Sequence, residues 1–125
     1  MIVLSTEDTS LELVLGGAVT ANEIHYVVNY IQINFNGLET SSSTQGVSTG
    51  ATDVTILAAP AAGSIRLVKS ISIYNADTAS VTVQVHYDNG GTERTIIKVT
   101  LATLENLFYE SGAGWQALTT AGAIK

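Results

Sequence analysis

The chain has 125 residues, a formal net charge of −6, no cysteine, 46% hydrophobic and only 13% charged residues. That length fits one domain with one shared core, and the apolar content is the opposite of what disorder requires. Without cysteine there are no disulfides or thiolate metal sites, and five basic residues cannot form the cationic stripe that nucleic acid or an anionic membrane would require.

The opening Ile2-Val3-Leu4 is a short apolar run without the basic region or length of a signal peptide, and no run is long enough to span a bilayer. The expected site of synthesis and folding is a cytoplasm. Residues 1–9 read either as an extended arm, with Ile2, Val3 and Leu4 adding a strand to a neighbour, or as the first strand of the chain's own fold. Ser10–Leu15 partly alternates and stops at Gly16-Gly17. Glu23–Asn34 is long and rich in β-formers. Its two apolar faces, one with Val28 and Tyr30 and the other with Ile31 and Ile33, predict a strand covered on both sides or lying under a partner subunit. Tyr26 and Tyr30 are therefore candidate inter-subunit contacts, together with Ile2, Val3 and Leu4.

Asn36-Gly37 marks a turn. Residues 39–53, centred on Thr40-Ser41-Ser42-Ser43-Thr44, have no periodicity and almost no large apolar side chains, which predicts an exposed loop. Asp53–Ala59 reads as a strand stopped by Pro60, the only proline. Ser64–Tyr74 alternates, with Ile65, Leu67, Lys69, Ile71 and Ile73 set opposite Arg66, Val68, Ser70, Ser72 and Tyr74. Val81, Val83, Val85 and Tyr87 are expected to face inward, before the hairpin signal Asn89-Gly90-Gly91. The return strand runs from Thr92 to Leu101, followed by strands at Leu107–Glu110 and Trp115–Leu118 and a short closing strand near Ala121–Lys125. No segment combines a helical period with caps. The expected fold is all-β: a single antiparallel sandwich of eight or nine strands, jelly-roll or immunoglobulin-like, spanning 1–125.

Chemistry-bearing residues are scattered. His25 and His86 each stand two residues from a carboxylate, Glu23 and Asp88, yet no HxH, HxxxH or HExxH spacing gathers the ligands that zinc needs. Serine is plentiful, but Gly-x-Ser-x-Gly is absent. Glu105 and Glu110 invite an acid/base reading, although eleven carboxylates on an acidic surface produce such spacings by chance. Trp115, close to Phe108 and Tyr109, reads as a core plug or as part of an exposed sugar-binding strip. The residues predict no catalytic group, no metal and no cofactor.

The second half has a further pattern. Ala59-Pro60-Ala61-Ala62-Gly63 leads into a strand ending in Asn75-Ala76-Asp77, followed by a valine-rich strand and a glycine hairpin. The ending contains Thr100-Leu101-Ala102, Glu105, Leu107, Tyr109, Gly112-Ala113-Gly114-Trp115, Leu118, Gly122 and Ile124-Lys125. Over roughly residues 52–125 this resembles small virion proteins of tailed bacteriophages, with the C-terminal part most specific. The resemblance implies a virion structural protein without catalytic residues, most often a capsid decoration or cement protein bound to the outside of the mature head. Its implied partners are the major capsid protein and further copies of itself, expected as a homotrimer. Related sandwiches also serve as head–tail, tail or fibre-base components, while Trp115 and the Ser/Thr-rich loop offer a host carbohydrate- or receptor-binding module as the alternative.

Overall fold

The structure is a computed structural model and describes residues 1–125. Ten strands and no helix follow in order: β1 (Ile2–Leu4), β2 (Thr9–Leu15), β3 (His25–Asn34), β4 (Glu39–Val47), β5 (Val54–Leu57), β6 (Ser64–Tyr74), β7 (Val81–Asn89), β8 (Thr92–Leu101), β9 (Asn106–Glu110) and β10 (Gly114–Leu118). They form two antiparallel sheets packed as a sandwich, as the alternation and turn spacing predict.

The larger sheet has the order β10-β9-β6-β3-β4, with β1 also on β6. One flank of β6 pairs with β3; the other is shared end to end, β1 taking Arg66–Val68 and β9 taking Ser70–Tyr74. The smaller sheet has the order β5-β2-β7-β8. β-Branched side chains on a pleated surface favour this arrangement, and the inward sets of both sheets interdigitate.

Leu11, Leu13 and Leu15 of β2 and Val81, Val83 and Val85 of β7 form the inner face of the small sheet. Tyr26, Val28, Val68, Ile71, Ile73, Leu107 and Tyr109 face them from the large sheet. Tyr87 is half-buried, and its hydroxyl donates to the Val3 carbonyl at 3.2 Å, closing the β1 end of the sandwich.

Four expectations are corrected. Residues 39–47 are exposed, but they form strand β4, paired with β3 from His25↔Val47 to Ile33↔Glu39. An edge strand that overhangs the core has no buried face, so it needs no hydrophobic period; its partner strand and the Asn36-Gly37 turn set its register. Segment 1–4 is not a free arm. It pairs with β6, and Leu4 is fully buried in the chain's own core.

The alternation of β6 is not continuous either: Asn29 opposes Ser70 whereas Tyr30 opposes Val68, so Lys69 is an extra residue. That bulge reverses the faces. Val68 points inward before it, and Ile71 and Ile73 after it. Finally, the C-terminus makes a single bridge, Leu118↔Ile124, instead of a closing strand.

Candidate functional site

The densest cluster of titratable groups lies on the outer face of the small sheet. Inward leucines in β2 oblige Ser10, Glu12 and Val14 to face outward, and inward valines in β7 do the same for Gln84, His86 and Asp88. Register then places Glu12 beside His86 and Asp88 beside Glu93. Asp53, just before β5, completes the cluster: carboxylate oxygens of Glu12, Asp53 and Glu93 lie within 4.8 Å of one another. His86 Nδ1 is 3.0 Å from Glu93 Oε2.

Partial burial, then a hydrogen bond and charge repulsion from Glu93, and finally the charges of Asp88 and Asp53 raise the Glu12 carboxyl above its ordinary value. Three oxygens at this spacing match what a hard cation takes as ligands. Asp53 and Glu93 are exposed to solvent, and acidic surfaces commonly adopt such spacings without an ion. Sequence reasoning did not find this group because Glu12, Asp53 and Glu93 are remote in the chain and meet only through the β5-β2-β7-β8 order.

A second polar network occupies one end of the sandwich, and its members are the motif residues of the second half. The Asp77 carboxylate accepts backbone N–H groups from Thr20 at 2.7 Å, Ala21 at 2.8 Å, Asn22 at 3.1 Å and Thr78 at 2.8 Å. These bonds, with Thr20 first, outweigh burial and lower its pKa to about 2. Asn75 is fully buried; its Nδ2 donates to the carbonyls of Ala79, Leu101 and Ala102, each at 3.0 Å. Its Oδ1 accepts the Asp77 N–H at 2.9 Å. Glu105 accepts from Lys125 Nζ at 2.6 Å and from the Ala102 N–H at 2.8 Å, and in that order they hold its carboxyl below the usual value. The residue before it, Leu104, is held at a φ of 65°, a left-handed conformation in which a non-glycine side chain is strained.

The remaining candidates fall apart by geometry. Glu23 does not serve His25: it accepts from the Ser48 hydroxyl and from the Gly50 N–H at 3.0 Å, tying the end of β4 to the start of β3. His25 packs on Tyr74 with ring centroids 5.9 Å apart. The two histidines lie in different sheets. Asp88 does not pair with His86, whose partner is Glu93. Glu105 is not a solvated surface group but a buried structural carboxylate, while Glu110 is exposed on β9.

Trp115 is half-buried, its ring tilted 47° against Tyr109 with centroids 5.0 Å apart, and packed on the core edge. Of the proposed subunit contacts, Leu4 and Tyr26 belong to the internal core. Ile2 and Val3 are half-buried, as is Tyr30, which lies under Arg66 at 4.9 Å. No helix is long and apolar enough to cross a membrane.

The chain was compared with protein-family models, curated proteins and solved structures, and none of the three comparisons found a match.

Proposed function

We propose that this chain is a structural component of a tailed-bacteriophage virion: a decoration or cement protein that binds the outer surface of the mature head. The observation that carries the reading is the motif resemblance over residues 52–125. Its signature polar residues, Asn75, Asp77, Glu105 and Lys125, hold backbone segments together at one end of the sandwich. Motif residues that serve the architecture suit a protein that works through its surface. The proposal takes the major capsid protein as partner, self-association (a trimer by resemblance) and no catalytic activity.

The surface chemistry is compatible with repeated packing. Large parts of the outer faces carry hydroxyl and amide groups, such as Asn29, Ser43 and Ser70 in one cross-strand row, so little charge must be desolvated on contact. Many moderate contacts on one shell then stabilise it by mass action.

The test is addition of purified chain to expanded heads lacking it. Saturable co-sedimentation with heads, and greater resistance of the heads to heat, are expected. Failure to bind heads, with binding to tail or neck fractions instead, moves the chain elsewhere in the particle. Binding to glycans alone replaces the reading with a receptor-binding module.

A further inference from the structure

Each sheet of an open sandwich ends in strands with unpaired backbone groups, and native proteins protect such edges. Four of the five strand edges here are protected. The C-terminal segment folds back along β10, with the Lys125 N–H donating to the Ala117 carbonyl at 2.8 Å and the Thr119 N–H to the Ala123 carbonyl at 2.8 Å. β8 carries Glu93, Arg94 and Lys98 and contains the irregularity opposite Val85/His86. β5 has four residues and ends near Pro60. β1, which shares the flank of β6, has only three residues.

β4 is different. It is nine residues long, pairs with β3 without a bulge, and carries one charge, Glu39, at its first position. From Thr40 to Val47 it has no Lys, Pro or irregularity to repel an incoming strand. Its outer flank pairs with nothing in the chain.

We infer that β4 is a self-association edge, on which a second copy of this chain pairs antiparallel about a twofold axis at Ser42. Two observations select a second copy. The chain carries −6, so two copies repel except where their facing surfaces lack charge, and β4 is the long edge that lacks it. Thr40-Ser41-Ser42-Ser43-Thr44 reads the same in both directions. Antiparallel pairing centred on Ser42 therefore sets Thr40 against Thr44 and Ser41 against Ser43, hydroxyl pairs that favour cross-strand contact, with Glu39 against the neutral Gln45.

The inference depends only on this edge and not on the virion reading, and the twofold pair it gives stands in place of the trimer that the resemblance implies.

Analytical ultracentrifugation over a concentration series tests it, with Ser42→Lys and Ser42→Glu as variants. Ser42 is exposed, so neither change disturbs the fold, and thermal melts of both variants check this. The wild-type chain is expected to associate from 13.1 kDa toward twice that mass as concentration rises. Each variant alone places like charges face to face and is expected to weaken association roughly tenfold or more, while an equimolar mixture of the two restores it. A wild-type chain that stays single at roughly millimolar concentration, the weak end of specific binding, overturns the inference. So does association that neither variant alters.

Discussion

The Asp77 carboxylate accepts the Thr20 backbone N–H at 2.7 Å, joining the β6–β7 turn to the β2–β3 connection across 57 residues of chain. Together with the bonds to Ala21, Asn22 and Thr78, it gives a long connection without regular structure a fixed anchor. Asp77→Asn replaces one acceptor oxygen by an NH2 group that confronts backbone donors, breaking part-buried hydrogen bonds to the connection. The melting temperature at neutral pH is expected to fall by about 5 °C or more.

The pH dependence of that loss has a defined sign. Asp77 titrates near 3.8 when unfolded and at about 2 when folded, so its contribution is complete above 3.8 and disappears as pH falls through 2. The gap between wild type and Asp77→Asn is expected to be widest near neutrality and to close toward pH 2. Urea unfolding at a series of pH values measures it.

Glu12 runs the other way. Its folded pKa is raised, so the protonated form favours folding below the unfolded value of 4.5, and that advantage is lost as pH rises through the folded value. Glu12→Gln removes the carboxylate crowding with Glu93, Asp53 and Asp88 while leaving the His86–Glu93 pair in place. The variant is expected to be more stable than wild type at pH 7, by less than about 1 kcal/mol because solvent screens the group, and equal to it near pH 4. A wild-type advantage at pH 7 contradicts this account of the cluster.

Leu4 has no exposed surface and sits between the sheets. Leu4→Ala is expected to cost about 2–5 kcal/mol of unfolding free energy, the range for a buried leucine truncated into a cavity. If β1 were an arm serving a neighbour, the isolated chain would be indifferent to the change. Chemical denaturation of dilute protein separates the two.

Gly46 lies against Tyr26: a Cβ there would stand 2.6 Å from the tyrosine hydroxyl oxygen. Tyr26 is held in the core and cannot withdraw freely. Gly46→Ala is expected to destabilise by about 1–3 kcal/mol through overpacking, with Tyr26→Phe partly rescuing it. Paired melts of the two single variants and the double variant measure the coupling.

Much of this architecture is legible in the residues. The period of two in β7 identifies its buried valines, and Asn89-Gly90-Gly91 locates its hairpin with β8. β4 escaped because periodicity records burial, and an overhanging edge strand buries neither face. The Lys69 bulge escaped because it is a relation between two strands; the β6 sequence alternates on paper straight through it. For the same reason the Glu12–Asp53–Glu93 cluster needs the sheet order before it exists. The burial of Glu105 is not legible in the sequence because nothing in its neighbours announces that Lys125, twenty residues later, returns to cover it.

The proposed role of this sandwich, a repeated part of a phage head, requires many copies per particle. Quantitative mass spectrometry of purified mature particles from the proposed phage source measures that number. A copy number comparable to that of the major shell protein is expected, on heads separated from tails. Absence from the particle, or a few copies confined to the neck, tail or fibre base, would contradict it.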